Sequence, residues 1–359
     1  MSKFIDIHIL QSVPASCINR DDSGQPKTVT YGGALRSRVS SQAWKRATRM
    51  RFEQESELIA TDEEFLKTYG TKNLVRLIAR EMQAQKDDLD ENEALDTAKE
   101  CLSVALSTSK FESGKGKDPY QTKTRYVMSL GQIRNLAKYC LTHNPSDFVK
   151  DKTEIKKLVT GQNSLALSLF GRMVADDESL NVDASCQVAH AFTVNAIQPQ
   201  FDYFTAVDDF SDQQGSAFIQ SAGYSTGVFY RYANVNVSEL EHNLGSGDLV
   251  KKGIALFLKD FALSMPTGKE NSFANTTLPS YVEFTIRDTQ PVNYASAFEK
   301  PIASKTGYMD KAVEALRQTA VEDEKMVGKP LTKVIVNVKD QDSLTLNEAI
   351  DEIIESLGD

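Results

Sequence analysis

Apolar residues alternate with polar ones over Phe4–Leu10, so that Ile5, Ile7 and Ile9 share one face and Asp6 and His8 the other. That period belongs to a strand. The same reading gives a second strand with Cys186, Val188, His190, Phe192 and Val194 on one face. A third covers Gly227–Val237 (GVFYRYANVNV), rich in β-formers, and a fourth covers Tyr281–Arg287, with Val282, Phe284 and Ile286 inward. Elsewhere the period lengthens to that of a helix. Val250, Ile254, Phe257 and Phe261 mark one amphipathic face; Leu74, Leu77, Ile78 and Met82 mark another, and Ile133, Leu136, Ala137 and Cys140 a third. A helix near Met309–Thr319, a strand at Lys333–Lys339 and a final helix complete the pattern.

A further helix follows the first strand, so the leading elements run β, α, β, β, α, β. That order predicts an α+β fold built on the ferredoxin-like split βαβ unit, the RRM-like architecture of RNA-recognition domains. Two long departures interrupt it. From about Ser56 to Asn181 the chain is polar, helical and loop-rich, and it includes a basic loop from Ser109 through KFESGKGKDPYQTK. Between the middle strands lies an excursion of roughly thirty residues carrying FDYFTAVDD and SDQQGSAFIQSAGYS, longer than compact domains usually tolerate without a function.

Charge changes this picture at one place. Lys27–Arg51 reads KTVTYGGALRSRVSSQAWKRATRMR and holds Lys27, Arg36, Arg38, Lys45, Arg46, Arg49 and Arg51 with no acidic residue. Ser40 or Ser41 suits an N-cap, and a helix runs from Gln42 to near Glu55. On a helical wheel Gln42, Lys45, Arg46 and Arg49 fall within an arc of about 100°. Ala43, Ala47 and Met50, with Trp44 beside them, form the expected core-facing stripe. Gly32-Gly33 and the pair Arg36/Arg38 feed the helix N-terminus, whose unpaired N–H groups and positive dipole suit a phosphate. A solvated basic face, or one docked on an acidic protein, fits the same residues.

The rest of the composition narrows the class. At 359 residues, 40% hydrophobic and 25% charged, the chain has a globular make-up, and its net charge of −9 argues against indiscriminate nucleic-acid binding while leaving room for a local basic groove. Acidic runs lie between Asp87 and Glu100 and after Lys339. Cys17, Cys101, Cys140 and Cys186 are widely spaced and form no CxxC, which predicts reduced thiols in a cytoplasmic protein. The start, MSKFIDIHIL, lacks the apolar core of a signal peptide, and no stretch reaches transmembrane length. His190 reads as a core histidine, and Cys186-x-x-x-His190 has no further ligand near it in sequence, so no metal or other cofactor is expected.

An ordered set of motifs then resembles one family. NRDD at Asn19–Asp22, the Gly32–Arg49 block, GRM at Gly171–Met173, FTAVDD at Phe204–Asp209, STGVFYRYAN at Ser225–Asn234 and AFEK at Ala297–Lys300 together resemble the CasC-type backbone subunit of type I-E CRISPR Cascade. The resemblance implies a palm at 1–57, 182–195 and 227–359, helical fingers at 58–181, and a thumb hairpin at 196–226. It implies copies stacked head to tail along a CRISPR RNA, each thumb kinking the guide so that the intervening bases pair with target DNA. The implied partners are other copies of the chain, a large subunit, small subunits, a subunit capping the guide 5′ end and a guide-processing endonuclease, with no membrane. Lys27, Ser40, Gln42, Lys45, Arg46 and Arg49 match positions holding guide phosphates, with Arg20 and Arg38 as helpers. Met173 and Phe204 match apolar wedges at the kink, flanked by Tyr203 and Thr205. Lys300 and Lys305 match a further basic pair. The match fades in the fingers and after about Lys305.

Other functions have thinner support. The chain has no P-loop, G-x-S-x-G or H-E-x-x-H, so no catalytic residue is assigned. Asp21-Asp22 is the one candidate for metal-assisted RNA cleavage, as in related type III backbone subunits; an Arg–Asp bond or turn cap is the competing reading. A stand-alone RRM-type binder would need exposed aromatics on its sheet, which GVFYRYANV matches only superficially.

Overall fold

The alternating stretches become strands of one antiparallel sheet in the computed structural model, which describes residues 3–58, 63–106, 110–175, 177–207, 216–245 and 247–358. β1 (Phe4–Ser16) continues past Leu10 and is followed by a hairpin, β2 (Thr28–Tyr31) and β3 (Ala34–Val39), and by α1 (Ser41–Leu58). The helical stretch contains α2 (Glu63–Leu66), β4 (Thr68–Thr71), α3 (Leu74–Gln85), α4 (Glu91–Leu106), β5 (Tyr126–Ser129), α5 (Leu130–Thr142), α6 (Lys152–Thr160) and α7 (Leu165–Phe170). Then come β6 (Cys186–Val188), β7 (Ala191–Thr193), β8 (Gln200–Val207), β9 (Ser216–Asn236), α8 (Val237–Leu244) and α9 (Gly247–Leu263). The chain ends with α10 (Glu270–Phe273), β10 (Tyr281–Arg287), α11 (Met309–Val327), β11 (Thr332–Asn337) and α12 (Leu346–Ser356).

Two compact units result. One gathers Met1–Arg51, Gln187–Val237 and Lys251–Asp359; the other gathers Phe52–Cys186 and Ser238–Val250. The first holds the sheet, ordered β11-β10-β1-β9-β7-β3-β2, with β6 and β8 also pairing β9. Among these, the four strands expected from the sequence stand in the order β10-β1-β9-β7, fourth-first-third-second, with antiparallel pairing. This is a mixed α/β fold with helical insertions, consistent with a ferredoxin-like core.

Both faces of the sheet are buried. Ile9 pairs with Arg231 across β1 and β9, and the Arg231 guanidinium lies 3.8 Å from the Trp44 ring of α1 and 4.8 Å from the Phe261 ring of α9. That places Ile5, Ile7 and Ile9 on the α1/α9 side, where desolvation pushes the Arg231 pKa down to about 9. On the other side Tyr230, Tyr232 and Tyr281 pack with Tyr294, Phe298 and the α11 residues Ala312, Leu316 and Ala320. Aromatic strand residues that an RRM would offer to RNA are therefore core here.

The second face also buries Asp6 and His8, and both are partnered. Asp6 accepts from the Tyr232 hydroxyl at 2.6 Å and the Val292 N–H at 3.2 Å, with the Arg287 guanidinium 3.7 Å away. His8 lies 4.0 Å from the Tyr294 ring, stacked on it, and its Nδ1 is 3.0 Å from the Tyr230 hydroxyl.

In the second unit the stripes on α3 and α5 point inward as their spacing predicts. Leu74, Ile78, Met82, Ile133, Leu136, Ala137 and Cys140 all enter one core with Leu102 of α4 and Ile155 of α6. Ser129 and Gln132 form a reciprocal capping box at the start of α5. The small β4–β5 pair, α8 and the β2–β3 hairpin have no counterpart in the sequence-level reading. All four cysteines are buried, as thiols.

Candidate nucleic-acid interface

The basic stretch is split by the β2–β3 hairpin, whose two-residue turn requires Gly32 (φ +57°) and Gly33 (φ +74°). A Cβ on Gly32 would stand 1.6 Å from the Glu299 carbonyl oxygen, so this glycine also admits a second segment. Arg36 ties that segment down. Its Nη1 donates to the Thr193 and Val194 carbonyls, each at 2.8 Å, and its Nη2 to those of Phe298 at 2.9 Å and Glu299 at 3.3 Å. The expectation that Gly32-Gly33 and Arg36 form part of a phosphate grip is corrected: Arg36 is fully buried and clamps backbone carbonyls. Burial lowers its pKa.

α1 begins where the sequence places it. The Ser40 hydroxyl accepts from Ala43 N–H at 3.3 Å, and the Ser40 N–H donates to the Asn19 carboxamide at 3.0 Å, tying the NRDD loop to the helix start. The buried stripe is Trp44, Thr48 and Phe52, one step round from the expected Ala43, Ala47 and Met50, which are half-buried. The large aromatic side chains decide the rotation, since they remove more apolar area from water. Gln42 and Arg46 are exposed and Lys45 and Arg49 half-buried, and none of them belongs to that stripe.

Beside the helix start lie Arg38 and Lys27. Arg38 N–H donates to the Lys27 carbonyl at 2.8 Å, and Lys27 N–H to the Asn19 carbonyl at 2.8 Å. The Arg38 guanidinium donates through Nε to the Thr28 carbonyl at 3.2 Å and lies 3.0 Å through Nη1 from His190 Nδ1. His190 is exposed, which corrects its reading as a core residue: the β6–β7 break carries it out to the Arg38 side. Partial burial, then the charges of Arg38 and Lys27, lower its pKa.

The excursion between the middle strands is the β8–β9 hairpin; Asp208, Asp209 and the rest of 208–215 lie outside the described residues. A Cβ on Gly223 would meet Gln25 Oε1 at 1.7 Å, so the hairpin base rests against the loop that leads to Lys27. Tyr203, Phe204 and Thr205 are exposed, Tyr203 and Thr205 on one face and Phe204 on the other. Tyr203 is 66% exposed and Phe204 37%. Phe201 and Ile219 add exposed apolar groups to the Tyr203 face, Ile219 through its pairing with Thr205. The motifs do not single out either one, although the alternation Phe201-x-Tyr203 signals the former.

The other candidates are distributed more widely. Lys300 is exposed and directly follows Glu299, so the Gly32–Arg36 clamp fixes its backbone near the hairpin. Lys305 is exposed in an irregular segment, and Arg20 is exposed at a bridge with Pro26. Met173 belongs to the other unit. There Gly171 (φ +73°) ends α7, and Arg172 is buried, donating to the carbonyls of Leu180 at 2.7 Å, Val127 at 3.0 Å and Val159 at 3.1 Å. With its two predecessors anchored, Met173 stands 85% exposed.

Asp21 has a structural task. Its Oδ1 accepts from Ser23 N–H, the Ser23 hydroxyl and Gln25 N–H at 3.0, 2.8 and 2.9 Å, which holds its pKa below the usual carboxylate range. This is the turn cap rather than a ligand set. Among the described residues no group of three or more His, Cys, Asp or Glu could hold a metal ion, and no helix is long and apolar enough to cross a membrane.

An antiparallel-sheet α+β core with helical insertions, bearing an outward basic ledge beside an exposed aromatic hairpin, is the class this geometry defines. The profile of the CT1975-like proteins matches residues 5–358, and the chain belongs to that family. Two solved chains are similar over nearly their whole length. One is described as "CRISPR RNA-guided surveillance complex, pre-nicking", with TM-score 0.85 and 30% identity over 98% of this chain and 99% of that one. The other is described as "CRISPR RNA-guided surveillance complex", with TM-score 0.76 and 28% identity over 98% and 99%. These likenesses bear out the resemblance read from the motifs. No curated protein matches the chain.

Proposed function

We propose that this chain is a non-catalytic, guide-RNA-binding backbone subunit of a type I-E CRISPR surveillance complex in the cytoplasm. The observation that carries the reading is its full-length likeness to a chain described as belonging to a CRISPR RNA-guided surveillance complex. In this reading 1–57, 182–195 and 227–359 are the palm, 58–181 the fingers and 196–226 the thumb. Lys27, Ser40, Gln42, Lys45, Arg46 and Arg49 hold guide phosphates, with Arg20, Arg38, Lys300 and Lys305 in support. Met173 and Phe204 wedge against bases where the guide kinks, with Tyr203 and Thr205 beside the wedge; apolar side chains exposed to this degree suit a stacking role. Between kinks the guide pairs with target DNA, so base pairing reads sequence while the protein reads backbone. Copies associate head to tail, with the large and small subunits, the 5′-capping subunit and the processing endonuclease as further partners.

Native mass spectrometry of the protein co-purified with its genomic neighbours, with sequencing of the bound RNA, tests this reading. Several copies on one CRISPR-derived RNA are expected. A single copy, or no RNA, overturns it.

A further inference from the structure

We propose that His190 is an additional guide contact, a neutral imidazole whose Nε2–H donates to the backbone phosphate next to the one held by Arg38. The proposal rests on the guide-binding reading above and deepens it.

Hydrogen-bond logic fixes the tautomer. A guanidinium has only donors, so across the 3.0 Å contact from Arg38 Nη1 the His190 Nδ1 must accept. The ring proton then sits on Nε2. Protonating Nδ1 as well would set two N–H groups against each other and bring a third positive charge beside Arg38 and Lys27.

Arg38 is itself held from a second side, through Nε on the Thr28 carbonyl, and Lys27 is bonded to Arg38 through the backbone. The three side chains thus come from the turn before β2, from β3 and from the β6–β7 break. Nδ1 and Nε2 face nearly opposite sides of an imidazole, so Nε2–H is aimed away from Arg38. His190 is exposed, so a phosphate can reach it without rearrangement of the sheet.

The competing role is bracing alone, in which His190 positions Arg38 and never meets RNA. The two differ in salt dependence. A neutral donor adds affinity without releasing counterions, whereas freeing one phosphate from Arg38 lowers the slope of log K against log salt by about 0.7 on a single strand. The test measures binding of the full chain to a spacer-length single-stranded RNA at several salt concentrations, for the wild type, His190→Ala, His190→Gln, Arg38→Ala and the double variant His190→Ala/Arg38→Ala.

His190→Ala is expected to weaken binding about tenfold with the slope unchanged. His190→Gln, which keeps a neutral N–H donor, recovers most of the loss, and the penalty persists in the Arg38→Ala background. Unchanged affinity in His190→Ala overturns the proposal. So does a penalty that lowers the slope or vanishes once Arg38 is removed. Thermal unfolding checks that each variant is folded, and a further variant, His190→Leu, which donates no hydrogen bond, decides the matter should His190→Ala unfold: weakened binding with an unchanged slope supports the proposal and wild-type affinity overturns it. Wild-type protein that binds no RNA overturns the guide-binding reading itself.

Discussion

Lys45 and Arg49 are half-buried on α1, outside the fully buried stripe of Trp44, Thr48 and Phe52, and in the proposed reading each holds a guide phosphate. Lys45→Ala/Arg49→Ala is therefore expected to weaken RNA binding alike for every spacer sequence. With two fewer phosphates neutralised, the slope of log K against log salt should fall by about 1.4. Filter binding across several spacers checks this; a defect confined to particular sequences contradicts the phosphate role. Asp6 makes a prediction about stability. Desolvation pushes its pKa up to about 6, against the opposing hydrogen bond from Tyr232, the N–H of Val292, the Arg287 charge and the Thr285 hydroxyl. The folded state holds this proton more tightly than the unfolded chain, so the group favours folding at low pH and the advantage is lost as pH rises through about 6. Neutral buried His8 acts in the opposite sense, since its lowered pKa costs stability in acid. Comparison with Asp6→Asn separates the two: the urea midpoint of the wild type should gain on that of the variant as pH falls from about 7 to about 4. Parallel profiles would refute the assignment. The burial of Asp6 and His8 was not legible in the alternation, which locates two faces of a strand without telling that both are covered.

The β2–β3 hairpin is the element on which the basic ledge depends, because it sets Arg36 against four carbonyls and carries Arg38 to the helix start. Its two glycines are not equivalent. Gly33 needs a positive φ but has open space around its Cβ position, whereas Gly32 needs a positive φ and also abuts the Glu299 carbonyl. Gly33→Ala should cost about 1–2 kcal/mol. Gly32→Ala should cost clearly more, since backbone must move to relieve the overlap. Equal urea midpoints for the two variants would show that the close approach is unimportant. The Gly-Gly pair was visible in the sequence, flanked by TVTY and ALRSRV, yet its role as a turn depends on a partner strand that local pattern does not reveal. For α1 the cap, the boundaries and the polar face were legible. The rotation of its buried stripe was not, because Ala43, Ala47, Met50 and Trp44 are all apolar, and which of them turns inward depends on Arg231 and Phe261, far away in the chain.

At the scale of the whole molecule, the proposed head-to-tail assembly predicts stoichiometry. Copies per complex should rise in regular steps with guide length in native mass spectra, and a fixed copy number on guides of different length would contradict head-to-tail growth. Within the single chain, the residue order alone was enough to locate the four central strands, the helix spacing in both units, the basic stretch and the ordered motifs that carry the family likeness. These depend on local period, capping chemistry and residue identity, all of which lie within a few residues of one another. Which polar and aromatic residues are core became visible only once the chain was folded. Folding buried Tyr230 and Tyr232 under α11, turned Arg36 into a backbone clamp and Asp21 into a turn cap, and left His190 and Met173 outside. The physical reason is that burial and hydrogen-bond partnership are set by segments distant in the chain, and the sheet that unites them is closed by pairings a one-dimensional pattern does not contain.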